Sequence, residues 1–152
     1  MNKIDKKANK LKRILDKIFE ISEWWLKFDK EIKVADKTYG IDLTSMHEVA
    51  RVLSAYNVYL ASMVAEFKRD YNRTYIHRKI NISKRANVLS MENAYNKAKS
   101  LAEEELEDVL TEENTYESMA FEADIILKHS YRMLDQIQNS INYLRKEYKN
   151  LD

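Results

Sequence analysis

The chain contains no proline, no cysteine and a single glycine in 152 residues. A typical domain is about 7% Gly and 5% Pro, and the tight turns of sandwiches, barrels and doubly wound sheets depend on both. So few breakers exclude an all-β fold and an α/β fold and point to long helices. The absence of cysteine removes disulfide frameworks, zinc ribbons and thiol catalysis, and agrees with a reducing compartment. Long apolar runs are also missing. The longest uncharged stretch, Val52–Ala65, has 14 residues and includes Asn, Ser and Tyr, whereas a membrane-spanning helix needs about 20 mostly apolar residues. The basic N-terminal run has no apolar stretch suited to a signal. Glu20, Glu23 and Asp29 interrupt its basic face, which argues against a membrane surface. With 45% hydrophobic and 34% charged residues the chain has the composition of a folded domain rather than a disordered one. The expectation is a cytoplasmic protein.

The formal charge of +1 hides segregation. Residues 1–17 carry seven Lys/Arg against two Asp, and residues 66–85 carry seven Lys/Arg against Glu66 and Asp70. Residues 102–124 carry ten acids and no base. The basic blocks suit a polyanion. The acidic block suits pairing either with one of them or with a neighbouring subunit.

Periodicity supplies the elements. Ile4, Leu11, Ile18, Trp25 and Ile32 recur every seven residues, with Ile14, Ile21, Phe28 and Ala35 as a second series, so residues 4–35 read as an amphipathic helix. Trp24 and Trp25 are adjacent and point about 100° apart on a helix, so only one can enter a shared core. Residues 36–45, with Gly40, form the best break, and Ser45 with Glu48 fits a capping box. From about Met46 to Ile80 a second helix carries Val49, Leu53, Tyr56, Leu60, Met63, Phe67, Tyr71 and Thr74 at 3-4 spacing. Residues 81–90 weaken the pattern, and Ser90 is a candidate cap for a third segment. There Ala94, Ala98 and Ala102 would let a neighbouring helix approach closely. The final helix, about 113–149, has two interleaved heptad series, Tyr116–Ala123–Ser130–Ile137–Leu144 and Ala120–Leu127–Leu134–Ile141–Tyr148. Thr111–Asn114 is a weak break before it. The fold class expected is all-α, long amphipathic helices in a helical hairpin or coiled-coil bundle. Its organisation is an N-terminal helix (1–37) followed by a long hairpin (38–152). Exposed apolar stripes on such helices favour a homo-oligomer, with Leu127, Leu134, Ile137, Ile141 and Leu144 as its expected interface.

No enzyme site emerges. His47, His77 and His129 are not spaced as ligand pairs, no Glu-x-x-His motif occurs, and one glycine cannot build a phosphate-cradling loop. Consecutive carboxylates at Glu103–Asp108 point in different directions on a helix. No catalytic residue, metal or cofactor is expected. The segment with the most chemistry interleaves bases with aromatic rings: Lys68, Arg69, Arg73, Tyr75, Arg78 and Lys79, followed by Lys84 and Arg85. Tyr71, Tyr75 and Arg78 share one side of a helix by i, i+4, i+7 spacing. Cations neutralise phosphates and tyrosine faces stack on unpaired bases, so these eight residues are the candidate nucleic-acid-binding set. The plainer alternative is a solvated basic face beside a core stripe.

The pattern Ile41-Asp42-x-Thr44-x-Met46, then Glu48, Ala50, Tyr56 and Tyr59-Leu60, leads into those bases. Ala123 then runs through an apolar stretch to Leu134-Asp135-x-Ile137, with Arg145 and Lys146 beyond. Over residues 41–149 this resembles the small phage recombination mediators of the UvsY type. The resemblance implies a protein that is not an enzyme, and a ring-like oligomer of helical hairpins that binds single-stranded DNA. It further implies contacts with a single-strand-binding protein and a RecA-like recombinase, which such mediators help to exchange on DNA in recombination and repair. A scaffolding coiled coil, for example in virion assembly, and a protein-docking regulatory module are the competing expectations.

Overall fold

A computed structural model of the protein describes residues 3–34 and 43–149. Among these it has four helices and no strand: α1 Lys3–Val34, α2 Leu43–Leu89, α3 Tyr95–Glu105 and α4 Glu107–Lys149. The all-α expectation holds. The expected break around Gly40 and the start of the UvsY-like pattern at Ile41 and Asp42 lie outside the described residues. α2 is helical from Leu43, so Ser45 is inside the helix rather than at its cap. Glu48 turns forward instead of back, accepting from Arg51 Nη2 at 2.5 Å and Nε at 2.9 Å.

α2 runs nine residues further than its apolar spacing suggests. Ser90 does not open the next helix. Its hydroxyl donates to the Asn87 carbonyl, and the Leu89 carbonyl accepts from the backbone of Asn93 and from Asn93 Nδ2. The last carbonyls of α2 are satisfied in this way, which ends the helix without a glycine. α3 starts at Tyr95 with Ala94 in an extended conformation (φ −57°, ψ 140°) before it. The next interruption is at Leu106 (φ −109°, ψ 19°), not at Thr111–Asn114. Thr111 and Thr115 donate to the carbonyls four residues back and stay helical. Glu107 and Asp108 occupy the first turn of α4, where negative charge suits the helix dipole.

Two compact units divide these helices: residues 1–62 with 123–152, and residues 63–122. In the first, α1 packs with the beginning of α2 and the end of α4. Leu11, Ile18 and Trp25 of the seven-residue series are buried, as are Leu53, Leu60 and Met46 of α2. Trp25 Nε1 donates to Gln136 Oε1 at 3.4 Å. Trp24 is only half-buried and stacks on Phe28 with ring centroids 5.0 Å apart and 13° between planes. The adjacent tryptophans thus divide as the helix geometry requires. Leu134, Ile137, Ile141 and Leu144 are buried and Leu127 is half-buried, all inside this one chain. The α4 heptads expected to face another subunit are covered here by the chain's own helices.

One polar pair sits in this core. Ser130 Oγ donates to Asn57 Oδ1, both residues are buried, and Asn57 Nδ2 has no partner among the described residues. A lone buried amide fixes the register of helices at the expense of stability. Ser130→Ala should therefore cost about 1–3 kcal/mol, because it strands the amide completely. Asn57→Leu combined with Ser130→Ala should recover most of that loss. Urea denaturation of the three proteins measures both effects, and equal destabilisation by the single and double variants would contradict the reading.

In the second unit the later part of α2 lies against α3 and the start of α4. Ile82 and Ala86 of α2 form a cluster with Ala102 of α3, and Leu89 and Leu106 pack on it. Ala98 and Ala102 are fully buried, as expected of small residues that allow helices to approach closely. Ala94 is exposed.

Candidate nucleic-acid interface

The basic segment lies on the part of α2 within the second unit. Its packed stripe runs Phe67, Tyr71, Thr74, Arg78, Ile82, at steps of three and four, and this places Arg78 inward. Its Nε and Nη2 donate to the two carboxylate oxygens of Glu113 at 2.6 and 3.1 Å. The side chains are only 15% and 6% exposed. A guanidinium matched to a carboxylate in this two-pronged way satisfies both charges, which is what allows them to be buried. The hydrogen bond from Arg78 to Glu113 raises the Arg78 pKa further above its usual value. Arg78 therefore fastens α2 to α4 and stands apart from the cations with which its sequence position groups it.

Arg78 also completes an aromatic arrangement that the sequence spacing anticipates. The rings of Tyr71 and Tyr75 are 6.2 Å apart at 30°. Arg78 Cζ and Lys79 Nζ lie 5.9 and 5.5 Å from the centroid of the Tyr75 ring. Tyr75 keeps part of its ring in solvent. The Tyr71 hydroxyl is pushed up from its ordinary pKa, first by the charge of Glu117 and then by burial and Glu113. It stays protonated and neutral at physiological pH.

Lys68, Arg69, Arg73, Lys79, Lys84 and Arg85 are exposed. Arg69, Arg73 and Lys84 have no ion-pair partner among the described residues. Arg69, Arg73, Ile76, Ile80 and Lys84 follow at i, i+4, i+7, i+11 and i+15, so they form one outward face. Ile76 and Ile80 are 56% and 48% exposed within it. The sequence reading missed these two isoleucines. Their signal was that they fall off the 3-4 stripe of the core.

Arg85 is exposed but occupied. Its Nε and Nη2 donate to Glu105 of α3 at 2.5 and 2.9 Å. The hydrogen bond from Arg85 holds the Glu105 carboxyl below the usual carboxylate range. A lowered folded-state pKa means that the pair stays intact as pH falls through the usual range and is lost only below it, as pH falls through the lowered value. Among the described residues the acidic block thus meets the basic block within one chain at Arg78–Glu113 and at Arg85–Glu105.

Elsewhere His47 Nε2 lies 3.0 Å from Arg145 Nη2, and His77 contacts Asn81. Among the described residues no three His, Asp or Glu side chains gather to hold a metal ion, and no helix is long and apolar enough to cross a membrane. No protein-family model, no curated protein and no solved structure matches this chain.

Burial separates the two ion pairs energetically. Glu113→Gln leaves Arg78 without its counter-charge in a largely covered site and should cost about 1–3 kcal/mol. Glu105→Ala breaks a solvent-exposed pair and should leave the unfolding midpoint nearly unchanged. Thermal or urea denaturation of both variants is the check, and a larger loss for Glu105→Ala would reverse the assignment.

Proposed function

We propose that the protein is a non-enzymatic, single-stranded-DNA-binding recombination mediator. In this reading it helps a RecA-like recombinase take the place of a single-strand-binding protein on DNA and works as a homo-oligomer. The observation that carries the DNA-binding part is the outward face of α2 in the second unit. Arg69, Arg73 and Lys84 reach solvent there without internal counter-ions among the described residues, and Lys68, Lys79 and the edge of Tyr75 lie to its side. The mediator role itself rests on the resemblance over residues 41–149.

The chemistry follows from this placement. Phosphates of a flexible strand exchange their counterions for the α2 cations, which gives affinity without sequence preference. Ile76, Ile80 and Tyr75 offer apolar and aromatic surface for unpaired bases, which a duplex keeps stacked inside. Modest affinity from one chain multiplies when several copies hold the same strand. A strand held along one face leaves its other side open for a recombinase.

A scaffolding coiled coil is the second reading. It is favoured by Val58 and Tyr59 in the first unit, which stand 67% and 61% exposed on α2 as an apolar surface suited to another helix. That reading predicts weak DNA affinity and no effect on a recombinase.

Charge reversal separates the two. Arg69→Glu with Arg73→Glu should lower affinity for a labelled single-stranded oligonucleotide at least tenfold at low salt. The plot of log K against log salt should become shallower by about 0.7 for each phosphate that the protein no longer neutralises. The same variant should fail to speed recombinase assembly on DNA coated with single-strand-binding protein. Unchanged binding by fluorescence anisotropy would show that this face does not hold DNA.

A further inference from the structure

Beside Arg85 the surface of the second unit holds a hollow of about 340 Å³ lined by Asn81, Lys84, Arg85, Val88, Glu105 and Leu106. Its composition is specific. Two cations and an amide stand together on consecutive turns of α2. Val88, 55% exposed, and Leu106 supply the apolar part. Leu106 is itself fixed against the Ile82–Ala86–Ala102 cluster, so this wall is held by packing. The one anionic group is Glu105, and both its oxygens lie in the fork of Arg85.

A carboxylate and a phosphodiester offer an arginine fork the same pair of oxygens at similar spacing. We infer that this hollow is a nucleotide subsite in which Glu105 holds the place of a phosphate until a strand arrives. Arg85 and Lys84 then take one phosphodiester, Val88 and Leu106 lie against the apolar side of the nucleotide, and Asn81 is within reach as a neutral donor and acceptor. The inference rests on the DNA-binding reading above and adds a site to it.

Three observations favour Arg85 over Arg78 for this role. The side chains of the Arg85–Glu105 pair are 44% and 47% exposed, against 15% and 6% for Arg78–Glu113. An exposed ion pair contributes little to folding, so an incoming anion displaces Glu105 at small cost. Lys84 stands next to Arg85 with no ion-pair partner of its own among the described residues, so the hollow keeps a net positive charge even with Glu105 in place. Lys84 is also the last residue of the outward face that begins at Arg69, about 22 Å away along the helix. A strand followed along that face arrives at the hollow. Glu105 thereby acts as a selectivity device: weakly bound anions do not displace it, and a strand already held at Arg69 and Arg73 does.

The test uses a labelled 20-mer of oligothymidylate titrated with the full chain at several salt concentrations. The proteins are wild type, Glu105→Ala, Glu104→Ala and Arg85→Gln/Glu105→Ala, each checked for an unchanged thermal midpoint. Glu104→Ala removes the same charge from the neighbouring position, where no ion pair forms among the described residues. Glu105→Ala should bind three- to tenfold tighter than wild type at low salt, because the strand no longer has to displace a carboxylate, and should keep the wild-type salt slope, because the same phosphates are neutralised in both. Glu104→Ala should stay close to wild type, and Arg85→Gln/Glu105→Ala should lose the gain and show a slope shallower by about 0.7, the value for one phosphate no longer neutralised. Equal affinities for Glu105→Ala and Glu104→Ala, or a wild-type slope for the double variant, with wild-type binding still weakened by reversing Arg69 and Arg73, would overturn the subsite and leave the broader DNA reading standing. No salt-dependent binding by any of the proteins would overturn both.

Discussion

From Leu43 to Leu89 the chain has neither proline nor glycine, and this constraint shapes everything else. α2 continues for 47 residues because nothing interrupts its hydrogen bonding. A helix of that length with an apolar stripe at 3-4 spacing must be covered along the whole stripe. In the first unit α1 and the end of α4 do this. In the second, α3 and the start of α4 do it through small residues that permit close approach. Once the inward stripe is fixed, the outward face of α2 is fixed as well, and its arginines and lysines reach water as a consequence of core packing.

The segregation of charge in the sequence then acquires two distinct uses. The acidic block lies on the helices that cover the basic part of α2, so some acids and bases must meet. Where they meet largely covered by the packed helices, at Arg78–Glu113, the pair fastens the unit. Where they meet in water, at Arg85–Glu105, the pair contributes little to folding and remains exchangeable. The same two residue types in the same two-pronged geometry thus serve architecture in one place and, in the proposed subsite, ligand exchange in the other. Solvent access is the variable that decides.

Much of the fold was legible because it follows from period and composition. The seven-residue series of α1, the stripe of α2 down to Thr74 and the close-packing alanines at 98 and 102 all depend on local spacing. The break at Leu106 was not legible, because leucine is a good helix former and its departure from helical dihedrals accompanies its packing on the distant Ile82–Ala86–Ala102 cluster. Ser90 was ambiguous, since a serine hydroxyl can accept from a starting helix or donate to an ending one. The heptads of α4 announced an apolar stripe but not its cover. Periodicity is silent on whether the partner helix belongs to the same chain, and here α1 and α2 supply it. In the candidate interface, grouping residues by charge placed Arg78 with its neighbours. Continuing the core spacing from Phe67 through Thr74 lands on Arg78 and would have set it apart. Glu113 and Glu105 lie 35 and 20 residues from their partners, beyond any local pattern.

If a single DNA strand lies along α2 in the second unit, as proposed, a photoreactive oligothymidylate cross-linked to the protein by ultraviolet light, with attachment sites mapped by mass spectrometry, attaches mainly within residues 69–88, with Tyr75 foremost, and less as salt is raised. Attachment confined to residues of the first unit, or none at low salt, would place the strand elsewhere or exclude it.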